Sequence, residues 1–158
     1  MRRFLSMSLI VAFVCLSALL TRAELVHGQD SEIQPSKNPA VYKDQLLKFT
    51  LLTKKNLRDI QALPNDDSVP FDPQLHHNAQ RAYQLIRAAQ WGMGVAIQVQ
   101  SYPDPILGLA QKRAEEAWNL ARYPVDFTGV SRAEYISMSV QNLSRSLRLA
   151  QQALVMLP

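Results

Sequence analysis

A chain of 158 residues with 17 basic and 13 acidic side chains and 47% hydrophobic residues has room for one ordinary domain and a short leader. Its formal charge of +4 is too small to make a case for nucleic acid. The single cysteine, Cys15, sits in an apolar run near the start, so the rest of the chain has no thiol for a disulfide, a thiolate metal site, a covalent haem or a nucleophile.

The leader comes first. Arg2 and Arg3 precede an apolar run from Phe4 to Leu20 that only serines interrupt. Small residues then mark two cleavage points, after Ala23 or after Gly28. This charged, apolar, small-residue order is that of a secretory signal peptide. The competing reading, an uncleaved anchor, is weakened by length, since the run is shorter than the ~20 residues of a spanning helix. Val14 is not the small residue that a lipid-modified Cys15 would need before it. Residues 1–28 are therefore expected to leave. Arg2, Arg3, Arg22 and Glu24 leave with them, so 14 basic and 12 acidic residues remain, a net charge of +2. Residues 29–38, QDSEIQPSKN, are polar and aperiodic and read as a flexible segment.

The remaining residues, 39–158, predict four helices at about 39–63, 73–100, 105–122 and 132–157. Three starts share one device. Asn38, Asp72 and Asp104 each stand before a proline, whose missing amide and fixed φ suit the first helical position. The fourth is the capping box Ser131 to Glu134, with Val130 and Tyr135 spaced as a hydrophobic staple. Apolar stripes follow each start: Tyr42, Leu46, Phe49, Thr53, Leu57 and Ile60, then Leu75, Ala79, Ala82, Ile86, Ala89, Met93 and Ile97. The third runs through Leu107, Ala110, Ala114, Ala117, Trp118 and Ala121. The fourth runs through Ile136, Val140, Leu143, Leu147, Ala150, Leu154 and Leu157. No segment alternates long enough for a strand. Short connections between amphipathic helices predict an all-α, up-down four-helix bundle behind the cleaved signal peptide.

The second helix carries the candidate chemistry. His76 and His77 are adjacent and diverge on a helix, and neither has a His, Asp or Glu four residues later, so no metal site is predicted. His76 borders the apolar stripe and is the candidate ligand if the bundle carries a b-type haem, with Met93 or another methionine as its partner. Gly92 and Gly94 flank Met93, outside any strand–turn–helix context for a dinucleotide loop. Ala88, Gly92 and Ala96 instead form a small-residue row that lets another backbone approach, with a kink as the alternative. The alanines of the third helix offer a matching row. Trp91 falls about 140° from the stripe centre and Val95 opposite it, which makes this half of the helix apolar nearly all round; either the helix is central and covered by loops or the N-terminal segment, or it offers a docking surface to another chain. Met138, Leu149 and Met156 give the fourth helix a smaller apolar outer face.

Other patterns are bland. Lys112 and Glu116 are spaced as an ion pair, and Lys54, Lys55, Arg58 and Asp59 as a solvated face. No paired carboxylates project from a stripe, and the serines at 131, 137, 139, 144 and 146 have no histidine in their helix. Asn142 begins a glycosylation sequon within a predicted helix. The expectation is an exported, periplasmic or secreted, non-enzymatic accessory or interaction subunit, without a transmembrane helix once the leader is gone. Its partner, another protein or a second copy, would meet Trp91, Val95, Met138 and Leu149. A carrier of a small ligand or b-type haem through His76 is the alternative, and an enzyme of unknown class a second.

Overall fold

Three of the four helices begin where a short polar side chain meets a proline, and the fourth begins at a serine cap. The computed structural model describes residues 33–101, 104–125 and 129–158; the leader, with Cys15, lies outside them. Among the described residues there are four helices and no strand. They are α1 (Pro39–Gln61), α2 (Pro73–Gln98), α3 (Pro105–Ala121) and α4 (Arg132–Met156). The Asn38 side chain accepts from the Ala40 amide, Asp72 from Gln74 and Asp104 from Ile106. Ser131 accepts from Glu134. Each cap satisfies an amide that the helix itself cannot, and each proline follows at a position where no amide is needed.

The four helices form a bundle. Each packs on its neighbours in sequence, and α4 closes the ring against α1. Two links fix the direction of that closing pair. Lys43, in the first turn of α1, donates to the carbonyl of Pro158 beyond the end of α4. Arg132, in the first turn of α4, donates its backbone amide to Asp67 in the α1–α2 connection. The pair is therefore antiparallel. No helix among the described residues is long and apolar enough to cross a membrane.

The core has two parts. The larger gathers Leu46, Phe49, Ile86, Met93, the alanines of α3 and Leu149, Ala150 and Ala153 of α4. The smaller holds Ile60, Leu75, Tyr135 and Leu143 at the end where α1 leads into α2. Between them α1 places Thr53 and Asn56 and α2 places Ala79, all of them buried. Both amide atoms of Asn56 and the Thr53 hydroxyl are buried without a hydrogen-bond partner.

The inward face of α4 is turned from the one that its large apolar residues predict. Tyr135, Ser139, Leu143, Ser146, Ala150, Ala153 and Leu157 are buried, whereas Ile136, Val140, Leu147 and Leu154 lie half-buried at the sides. The cause is the alanine row of α3. Ala110, Ala114, Ala117 and Ala121 carry so little bulk that α4 approaches closely enough for the Ser146 hydroxyl to donate to the Ala117 carbonyl at 2.6 Å. Small residues then occupy the centre of the contact and large ones its flanks. Glu116 also departs from expectation: it pairs with Arg113 at 3.1 Å, three residues away, and not with Lys112.

Candidate functional site

The C-terminal half of α2, apolar nearly all round in sequence, has one covered side and one open side. On the covered side Leu85, Ala88, Gly92 and Ala96 form a buried row. Residues Ile33–Lys37 lie outside any helix, and this segment crosses the row. A Cβ built on Gly92 would stand well inside van der Waals contact of the Ser36 carbonyl oxygen and 3.1 Å from the Ser36 amide. The backbone that approaches Gly92 is thus Ser36, not α3. Ile33 packs against the larger core, and the Gln45 side chain of α1 donates to the Gln34 carbonyl at 3.1 Å. Gly94 has nothing within 4 Å of its missing Cβ.

On the open side Trp91, Val95 and Val99 follow one another at four-residue steps and are 45%, 44% and 61% exposed. The Arg87 guanidinium lies 4.4 Å from the centre of the Trp91 ring and holds the indole against the helix. Trp118 differs. It is half-buried against the larger core, with its ring 6.0 Å from that of Tyr83.

The α4 residues expected to extend this surface do not form an open apolar face. Leu149 is only 9% exposed and belongs to the larger core. It follows Ser146 by three residues and precedes Ala153 by four, so the rotation of α4 brings it inward. Met138 and Met156 are half-buried. The Asn142 amide nitrogen, the atom a glycan would take, donates to the Met138 carbonyl at 2.9 Å within the continuous helix.

His76 reaches a different place. A cavity of about 250 Å³ opens at the loop end of the bundle, lined by Phe71, Asp72, Leu75, His76, Pro124 and Tyr135, among others. Both histidines are exposed in the first turns of α2. Met93 is fully buried on the same continuous helix, seventeen residues and therefore about 25 Å away, too far to share one iron with His76. Among the described residues no group of three or more His, Cys, Asp or Glu side chains is placed to hold a metal ion. Burial pushes the Tyr135 phenol above its ordinary pKa, while the nearby Ser139 hydroxyl and the Arg132 charge pull the other way.

Arg132 is the residue that sequence reasoning passed over. It is 3% exposed, donates to the Val69 carbonyl and stacks its guanidinium 4.0 Å from the centre of the Phe71 ring. Phe71 in turn meets Tyr135 edge to face at 4.8 Å. The clamp ties the α1–α2 connection to the start of α4 and builds one wall of the cavity. One signal was available: a cation in the first turn opposes the helix dipole, so its presence there points to a tertiary role. Asp66 organises the same connection. Its carboxylate accepts from both the amide and the hydroxyl of Ser68, and these bonds hold its pKa below the ordinary value.

Among the described residues the buried polar side chains are Gln45, Thr50, Thr53, Asn56, Gln90, Ser139 and Ser146 together with Arg132, and only the arginine of these carries a charge. Comparison with protein-family models, with curated proteins and with solved structures found no match to this chain.

Proposed function

We propose that this is an exported, non-enzymatic helical-bundle protein that acts as an accessory or interaction subunit. It docks a protein partner, or a second copy of itself, through the open side of α2. One observation carries the reading: a tryptophan, pre-positioned by Arg87, stands exposed at the head of the row that continues through Val95 and Val99. An aromatic anchor of limited conformational freedom, flanked by aliphatic side chains, is the usual centre of an interface. The leader pattern of residues 1–28 supports export to the periplasm or outside the cell, and cleavage after Ala23 or Gly28 would leave the bundle without its apolar leader. Sedimentation of the protein alone and with its co-purified partner tests the reading. Trp91→Ala should weaken the association by about thirtyfold, the equivalent of roughly 2 kcal/mol, with the helical circular dichroism unchanged. Unchanged association would overturn it.

The cavity beside His76 favours a second reading, a carrier of a small ligand or of b-type haem, with His76 as the ligating or hydrogen-bonding residue. A visible absorption spectrum of protein purified from its native source separates the two. A haem band that His76→Ala abolishes supports the carrier. A colourless protein that arrives with a stoichiometric partner supports the subunit.

A further inference from the structure

The segment Ile33–Lys37 sits on the α1–α2 groove as a ligand sits in a site. Its inward residues, Ile33 and Ser36, are three apart and half-buried, while Gln34, Pro35 and Lys37 face out. That spacing matches the three-residue turn of an extended polyproline II chain. The groove answers it with three features. An apolar patch of the larger core takes Ile33, Gln45 reads a main-chain carbonyl, and Gly92 leaves room for the backbone at Ser36. Gln45 is itself buried, and its side-chain oxygen has no partner beside the segment that its nitrogen holds. A seat that still has an unused acceptor is not matched in full by its present occupant. A glycine in the interior of a helix also costs stability, and the approach of Ser36 is what requires it at this position.

We propose that the α1–α2 groove is a peptide-binding groove, that residues Ile33–Lys37 occupy it as a built-in competitor, and that the partner's contribution is an extended segment of the pattern apolar-x-x-small which takes their place. The proposal deepens the interaction reading and rests on it, but concerns the row of α2 centred on Gly92, about 100° round the helix from Trp91. Recognition would follow the template already seated: main-chain hydrogen bonding to Gln45, an apolar side chain in the Ile33 position and a small residue over Gly92. Because the built-in segment is tethered, it competes at an effective concentration of about millimolar, and only a better-matched or loosened situation lets a second chain in.

The test uses a fluorescently labelled peptide of residues 33–38 and the full chain. Ile33→Asp loosens the built-in segment and leaves the groove intact. That variant should bind the peptide saturably in an anisotropy titration, and the unchanged chain should bind it at least about tenfold more weakly. Adding Gly92→Leu to the loosened chain should abolish binding. Gln45→Leu, which leaves the backbone path open, should weaken it by about tenfold and serves as the second variant if the leucine at 92 unfolds the bundle. No saturable binding to the Ile33→Asp chain, or binding indifferent to both groove substitutions, would overturn the proposal. Trp91→Ala should leave peptide binding unchanged. Failure of the groove with association through Trp91 intact removes only the groove, whereas loss of the Trp91 effect alone removes the docking surface.

Discussion

Trp91 and Gly92 are neighbours in sequence and opposites in circumstance. A single residue step along α2, about 100° round the helix, separates the largest side chain in the alphabet, exposed to solvent, from the smallest, buried under another stretch of the same chain. Hydropathy treats the two sides of the helix alike, because Leu85, Ala88 and Ala96 on one and Val95 and Val99 on the other are all apolar. What distinguishes them is volume. A row with no more than a methyl at its centre admits a backbone, and an extended segment of this chain has taken the room. A row with an indole at its head admits no backbone and stays open.

That contrast can be sharpened by substitution. The largest effect should come from outside α2, at the other tryptophan. Trp118→Ala removes a half-buried indole from the larger core and should lower stability by about 2–4 kcal/mol in chemical denaturation. A loss no larger than that of Trp91→Ala would mean that exposure does not rank the two indoles. Gly92→Ala comes next. Alanine should gain about 1 kcal/mol of helix propensity, but its methyl meets the Ser36 carbonyl, and crowding of this kind costs about 1–3 kcal/mol. The net expectation is a small destabilisation with faster hydrogen exchange at Ser36 and Lys37. A more stable protein would show that the segment yields freely. Gly94→Ala is the control, since nothing stands near its missing Cβ. It should raise the midpoint by the equivalent of about 0.5–1 kcal/mol, so two glycines two residues apart should answer alanine with opposite signs. The smallest effect on folding is expected at Trp91→Ala, about 0.5 kcal/mol from the lost stack with Arg87. A much larger loss in the monomer would make α2 a buried element and end its role as a docking surface.

The helices were legible because their ends are written locally. Asn38, Asp72, Asp104 and Ser131 cap the helices that their neighbours predict, and no long-range contact is needed to read a cap before a proline. The rotation of α4 was not legible in the same way. A stripe drawn through Ile136, Val140, Leu147 and Leu154 finds the bulk of the helix, but the centre of a close contact belongs to Ser139, Ser146, Ala150 and Ala153, and only the alanines of α3 explain why. Leu149 went astray for that reason. Arg132 was invisible for a different one: its partners Asp67, Val69 and Phe71 lie more than sixty residues earlier, and no periodicity reports a contact across such a distance. Segment 33–38 carried no periodic signal either, because its hold on the bundle is made by Gln45 and Gly92, residues that each look ordinary in their own helix.

The polar layer that divides the core has a consequence for how the molecule breathes. Thr53 and Asn56 contribute little cohesion at their level of the bundle, so the two apolar clusters on either side are only loosely coupled. Cooperative unfolding then has a natural seam. The smaller cluster, resting on Ile60, Leu75, Tyr135 and Leu143, can open while the larger one around Phe49 and Ile86 stays closed. Native-state hydrogen exchange would register this as two tiers of protection along α1, α2 and α4, lower toward the loop end and higher toward the other. The cavity beside His76 lies in the lower tier. Whatever enters or leaves there meets the part of the protein that yields first, while the surface around Trp91 rides on the part that yields last.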